Sequence, residues 1–402
     1  MIDAGSREFW RATLALCLGS FMIFANVYVT QPLLPTLAEA FEISELQASM
    51  SLTVTTLTLG LSLLVYGPLS DVVGRKSVMV TSMVGAVLTT FLLSYVSNYD
   101  QLLLLRALQG FCLGGLPAIA VAYMGDEFRN KAMVLAVGLY ISGNSLGGIG
   151  GRLIGGLAAQ WLGWEHVFGV MAVMSLALLA IFVWLLPRSQ HFAPRPLCMR
   201  ALATPLMGHM RNPLLLIAYI IGGLNMLIFV NQYSFITFVL AEAPYSLSSG
   251  WLGMLFLTYL SGTIGSSIAG RVAQRVAQPI IMLVGIGILM TGTLVTLLPG
   301  ITAILMGFLL NALGFFVAHS AASSWVSHRA SVAKASASSL YLVFYYLGSS
   351  LGSFYLQPFW QWAGWQGVVV GSLVVLSLSL FAVCLLRVVS AQQRAASHTA
   401  LV

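Results

Sequence analysis

Twelve apolar stretches recur along the chain, near 12–31, 46–67, 77–96, 101–123, 132–158, 165–186, 212–238, 249–270, 279–298, 302–324, 335–356 and 366–387. Each has the roughly 20 residues that a helix needs to cross a hydrocarbon core of about 30 Å. Inside lipid the backbone must satisfy its own hydrogen bonds, so only helices or a closed barrel remain, and no two-residue alternation runs through these stretches. Helices are expected throughout. Of the residues, 7% are Asp, Glu, Lys or Arg and 59% are hydrophobic, which leaves no polar shell to face water around so apolar a core. The expected class is an all-α membrane protein of twelve transmembrane helices, with the lipid bilayer as its main solvent.

The charges sit between these stretches and alternate in sign along the chain. One set of loops and ends holds Arg7, Arg11, Arg75, Lys76, Arg129, Lys131, Arg188, Arg195, Arg200, Arg211, Arg271, Arg275, Arg329, Lys334, Arg387 and Arg394. The other set has no Lys or Arg and carries Glu39, Glu42, Glu45, Asp100, Glu165 and Glu242. By the positive-inside rule both termini are expected in the cytoplasm of a bacterial inner membrane, which requires an even number of spans. The net charge of +7 is then a topology signal rather than a nucleic-acid footprint. The run Arg11 to Thr30 is too long for a signal-peptide core and is read as the first span. Cys17, Cys112, Cys198 and Cys384 have no CxxC spacing, so neither a disulfide framework nor a metal site is expected. There is no P-loop, zinc spacing or nucleophile elbow, which argues against ATP-driven and enzymatic readings and implies no cofactor.

The chain also repeats itself. Leu139-Tyr140 recurs as Leu340-Tyr341, Gly147 and Gly151 as Gly348 and Gly352, and Gln160 to Trp164 resembles Gln361 to Trp365. Ile23-Phe-Ala-Asn-Val-Tyr28 likewise resembles Ile228-Phe-Val-Asn-Gln-Tyr233. Matches near one offset of about 200 residues in several helices indicate a duplicated six-helix unit in parallel orientation. The expected organisation is a first six-helix bundle over 1–186, a cytoplasmic linker over 187–211 rich in proline and arginine, a second bundle over 212–388, and a tail over 389–402. A central cavity is expected between the halves.

Gly67-Pro-Leu-Ser-Asp71-Val-Val-Gly74-Arg75-Lys76 follows the second span and resembles the G-x-L-x-D-[RK]-x-G-[RK]-[RK] signature of the major facilitator superfamily, with Val72 where a base is usual. Arg106-Ala-Leu-Gln109-Gly110 resembles the fourth-span R-x-x-Q-G motif, and Gly143 to Gly151 the fifth-span antiporter motif, with Gly148 in place of proline. Within that superfamily the chain resembles the bacterial YnfM-type drug and sugar efflux branch. The resemblance implies two pseudo-symmetric six-helix bundles working by alternating access, as a monomer, on a small-molecule substrate. It also implies a latch built on Gly67, Asp71, Gly74, Arg75 and Lys76, with Asp71 near Lys334 and Arg129 as a charge partner. The degenerate copy at Gly270 has Gln274 where Asp71 stands.

Arg106 and Arg152 are the basic residues that fall in the interior of the expected spans, Arg387 being the end residue of the last, and there a charge is expensive and normally faces a polar partner or a cavity. Gln109 and Asn144 are nearby partners, and snorkelling to head groups is the alternative. His319 is an imidazole that could titrate or be structural. Asn26, Tyr28, Gln31, Tyr140, Asn225, Asn231, Tyr233, Tyr259, Asn311, Tyr341 and Tyr345 combine polar tips with apolar surroundings. Such side chains suit an amphipathic ligand in a cavity, or hydrogen bonds between helices. The leading expectation is proton-coupled antiport that exports amphipathic organic solutes or drugs; a carrier of organic anions using both arginines is the alternative, and a membrane enzyme or channel the third.

Overall fold

A computed structural model of the chain describes residues 1–192, 199–330 and 333–399. Among them the regular structure is helical: α1 (Arg7–Tyr28), α2 (Leu34–Ala40), α3 (Glu45–Val73), α4 (Arg75–Leu93), α5 (Tyr99–Leu113), α6 (Gly115–Glu127), α7 (Asn130–Leu162), α8 (Val167–Leu185), α9 (Met199–Met210), α10 (Pro213–Ala241), α11 (Ser249–Met254), α12 (Tyr259–Val272), α13 (Gln278–Val295), α14 (Ile301–Arg329) and α15 (Lys334–Thr399). Local chemistry sets the starts. Ser6 accepts a hydrogen bond from the Phe9 amide at 3.1 Å, Ser44 and Gln47 form a reciprocal capping box, and Asn98 accepts from the Gln101 amide at 2.9 Å.

Eleven helical stretches among the described residues are long and apolar enough to cross a membrane. The last, Ser336–Ser390, has 55 residues, about 80 Å of helix, far more than one crossing needs. It breaks at Ala363 (φ −148°) and Gly364 (φ 55°), where the left-handed backbone favours glycine, and so counts as two crossings and brings the number to twelve.

Two sequence boundaries move. The motif region expected as a loop after residue 67 is helical up to Val73, so Gly67 and Asp71 belong to α3, and the joint with α4 is Gly74 alone, at φ 113°. The linker expected over 187–211 contains α9, while residues 193–198 lie outside the described residues.

The chain divides into two compact units, Met1–Cys198 with Thr237–Phe256, and Met199–Ile236 with Leu257–Val402. In the first, α1 lies along α7 so closely that a Cβ at Gly151 would sit 2.2 Å from the Ala25 carbonyl oxygen. Small residues permit that approach and let dispersion replace the missing hydrophobic drive between helices in lipid. In the second, α10 and α15 meet in the same manner, a Cβ at Gly348 falling 2.0 Å from the Gly223 carbonyl oxygen.

Candidate functional site

The first span, Arg7–Ala40, is not regular α-helix throughout. α1 stops at Tyr28, a 3₁₀ turn covers Gln31–Leu33 with Pro32 inside it, and α2 resumes at Leu34. An interrupted helix leaves carbonyls without intrahelical donors, and in an apolar interior those must be met by side chains. Arg106 of α5 meets them. Its Nη1 donates to the Asn26 carbonyl at 2.9 Å and its Nη2 to the Val27 carbonyl at 2.8 Å, while Nε reaches the Ser51 carbonyl at 3.2 Å. Gln109 Oε1 accepts from Nη1 at 2.5 Å and Thr30 Oγ1 from Nη2 at 3.5 Å. Arg106 is fully buried, so it does not snorkel; its charge sits at the negative end of a helix, held by neutral acceptors.

Arg152 of α7 braces the same break from another side. Its Nε donates to Gln31 Oε1 at 2.8 Å and its Nη1 to the Gly148 carbonyl at 2.7 Å. The guanidinium carbon lies 3.9 Å from the centroid of the Tyr28 ring and 4.5 Å from that of Phe256. This aromatic sandwich supplies cation–π attraction in a desolvated place, Arg152 being 1% exposed. Snorkelling is therefore corrected for Arg152 as well. The Thr237–Phe256 segment closes over α7 within this unit: Ser248 Oγ donates to Gln160 Oε1 at 2.9 Å, and a Cβ at Gly156 would meet the Ser249 carbonyl oxygen at 2.4 Å.

A buried amide and hydroxyl network extends from Arg106. Asn26 Oδ1 accepts from Thr90 Oγ1 at 3.2 Å and from Gln109 Nε2 at 3.3 Å, Gln109 Nε2 also donates to Thr90 Oγ1 at 2.7 Å, and Asn26 Nδ2 donates to Ser175 Oγ at 2.8 Å. Asn144, expected near an arginine, instead accepts from Ser20 beside Tyr140. All eleven carboxylates of the chain lie in loops, short turns or the terminal turns of helices.

The second unit has its own network. Gln232 Nε2 donates to Thr293 Oγ1 at 3.0 Å, Asn311 Nδ2 to Gln232 Oε1 at 2.8 Å, and Thr293 Oγ1 to Asn311 Oδ1 at 3.2 Å. Asn231 is tied to the Ser349 carbonyl at 2.9 Å and to Ser353 at 2.6 Å, and Asn225 accepts from Ser379 at 2.8 Å. For Asn26, Asn231 and Asn311 the geometry is that of hydrogen bonding between helices. Tyr233 and Tyr259 join Phe229, Phe308 and Phe316 in an aromatic cluster, with Tyr233 Oη bonded to Thr258 at 2.6 Å. His319 stacks on Phe315, meets Tyr341 Oη at 2.9 Å through Nδ1, and lies 4.9 Å from Tyr345 between ring centroids.

At the ends of α3 and α4, Asp71 pairs with Arg75 at 2.5 Å, across Gly74, and Arg75 Nη1 also donates to Ser70 Oγ at 2.7 Å. Arg75 Nε reaches Asp126 at 3.0 Å. Lys76 caps α8 by donating to the Val183 carbonyl at 3.3 Å and to the Leu186 carbonyl. Arg129, expected beside Asp71, pairs with Asp3 at 3.2 Å because the chain start forms a bridge between Ile2 and Phe128. The side chain of Lys334 lies outside the described residues. Sequence reasoning missed Asp126, Thr90, Thr293 and Phe256. Asp126 had a usable signal, a carboxylate at the end of an apolar run on the basic side; the threonines and Phe256 had none beyond their place in an apolar span.

With this geometry in place, comparisons with known proteins identify the family. The model of the Major Facilitator Superfamily matches residues 16–353. The MFS-type transporter YybF of Bacillus subtilis is 39% identical over 368 residues, covering 92% of this chain and 91% of that protein. The inner membrane transport protein YnfM of Escherichia coli is 38% identical over 377 residues, covering 94% and 90%. Among solved structures, the human organic anion transporter MFSD10 superposes with a TM-score of 0.70 at 18% identity, covering 94% of this chain and 100% of that one, a likeness of fold. A helical, duplicated chain with a bracketed break in its first span, matched over most of its length by such relatives, belongs to the Major Facilitator Superfamily and is a multi-pass membrane transporter.

Proposed function

We propose that this protein is a secondary active transporter working by alternating access, exporting amphipathic organic solutes in exchange for protons across a bacterial inner membrane, as a monomer with both termini in the cytoplasm. The observation that carries the substrate class is the pair of buried arginines around the first-span break, in spans whose interiors hold no carboxylate. An interior of that sign repels cations and accepts neutral or acidic solutes. Arg106 has its donors committed to the carbonyls of α1 and is a positioning residue; Arg152, flanked by Tyr28 and Phe256, is the side chain we assign to the solute. Tyr140 in the first unit, and Tyr259, Tyr341 and Tyr345 in the second, carry polar tips in apolar surroundings, and His319 is our assignment for the transported proton, since the second unit holds no side-chain carboxylate. Asp71, Arg75 and Lys76 stabilise one conformer.

The aromatic sandwich of Arg152 favours a second reading, a carrier of organic anions without proton coupling. Transport into proteoliposomes of a panel of dyes, sugars and organic anions, with and without a pH gradient, separates the two. Acceleration by the gradient and loss of pH dependence in His319→Gln support export by antiport. A rate indifferent to pH but collapsing in affinity in Arg152→Ala supports the anion carrier, and no saturable transport of any solute in the panel would sink both.

A further inference from the structure

The second unit carries no Asp or Glu. The last carboxylate of the chain is Glu242, which lies in the first unit, and none occurs from residue 199 to 241. Within this unit a cavity of about 880 Å³ opens where the end of α12, the start of α13, the end of α14 and the second part of α15 meet. That volume falls in the range of roughly 300–1,000 Å³ typical of small-molecule sites.

Its chemistry is that of an anion receptor. Ala277, Gln278 and Pro279 line it with the first turn of α13, and Ala277 offers no side-chain cap, so the positive end of that helix is unneutralised. Arg387 lines the cavity and makes no ion pair among the described residues. Ser390 Oγ, in the lining, is shielded from solvent and has no hydrogen-bond partner. Gln278 Nε2 and His328 Nδ1 both turn to Ser324, at 2.9 Å to its hydroxyl and 2.8 Å to its carbonyl. The remaining walls are apolar and include Ala269, Val276, Ala321 and Trp325.

We propose that this cleft binds the phosphate head group of an anionic phospholipid drawn from the adjoining leaflet. A phosphate ester is the shared chemistry of a lipid and a soluble anion, and the surroundings decide for the lipid. Arg387 is itself in the lining, and Arg271, Arg275 and Arg329 directly follow the lining residues Gly270, Gln274 and His328 in the chain, a basic cluster of the kind found at a membrane boundary. Leu385 and Val388, beside Arg387, are exposed apolar residues against which acyl chains can pack. Basic pockets between spanning helices are suited to acidic head groups.

The test uses the purified full-length protein in mild detergent, with native mass spectrometry and thermal unfolding. Phosphatidylglycerol and phosphatidylcholine of identical acyl chains form two arms, and inorganic phosphate and glycerol 3-phosphate form the third. Phosphatidylglycerol is expected to stay bound and to raise the melting temperature, with phosphatidylcholine and the free phosphates doing neither. Arg387→Gln should weaken the phosphatidylglycerol adduct about fivefold, the factor that one basic side chain at a membrane surface contributes. Should that variant fold poorly, Ser320→Leu, which narrows the cavity and keeps every charge, should weaken the adduct as well. Equal retention of phosphatidylglycerol by wild type and both variants overturns the site. Equal protection by free phosphate overturns the lipid assignment.

Discussion

Two polar networks of nearly the same composition lie in the two units, and they differ by one residue in kind. In the first, Asn26, Thr90 and Gln109 bond to one another; in the second, Gln232, Thr293 and Asn311 do so. Three residues before Gln109 stands Arg106, and three residues before Asn311 stands Phe308, both fully buried. The helix each network holds explains the difference. α1 ends at Tyr28 and leaves carbonyls at Asn26 and Val27 for Arg106 to cap, whereas α10 runs unbroken from Pro213 to Ala241 and offers no such acceptors. The cation is placed where a helix is interrupted, and a phenyl ring fills the volume where it is not. In the first unit a cation is thus bonded to the end of the helix that its network holds, and in the second it is not.

The severest challenge to this comparison is Phe308→Arg. A cation there would be buried without free carbonyls, at a cost of roughly 3–5 kcal/mol for an uncompensated buried charge. We expect folded protein, measured by fluorescence-detected size exclusion, to be lost in Phe308→Arg and kept in Phe308→Leu. Normal yield and melting of the arginine variant would break the comparison.

Arg106→Ala comes next. It strands the Asn26 and Val27 carbonyls and Gln109 Oε1, each worth about 1–3 kcal/mol when buried unmet. Transport should be abolished, and Arg106→Lys should retain part of it, because an ammonium supplies donors but not the planar fork that spans two carbonyls. Wild-type transport rates in the alanine variant would show that the break needs no cation.

The motif and its copy sharpen the contrast more gently. Asp71→Asn should lower turnover several-fold with membrane yield unchanged, since Arg75 keeps Asp126 at 3.0 Å and the fold does not depend on Asp71. Gln274→Asp in the copy should leave turnover as it was. The smallest effect is expected from Thr90→Val and Thr293→Val, about 1 kcal/mol each in stability. Transport should fall further in the first, and equal transport losses would show that the two networks are functionally alike.

The spans, the duplication and the family motifs were legible in the sequence because each depends on local composition: twenty apolar residues cross lipid whatever their neighbours. The identity of Arg106 and Arg152 as intramembrane cations was legible for the same reason. Their partners were not. Arg106 is met largely by backbone carbonyls, which every residue carries and no sequence pattern marks, and Arg152 by Tyr28 and Phe256, which are far apart in the chain. The family resemblance paired Arg129 with Asp71, whereas its pairing with Asp3 follows from how the chain start packs.

By itself, then, the sequence determined solvent, helix number and the positions of the charges, since the hydrophobic effect and the cost of burying charge act on composition along a single helix. Only the tertiary structure decided where the first span breaks, which carbonyls Arg106 caps, that α3 carries Asp71 as helix rather than loop, and that Thr237–Phe256 packs within the first unit. Those outcomes are settled by hydrogen-bond satisfaction between helices, and in an apolar interior an orphaned polar group costs enough to choose among arrangements that composition leaves equal.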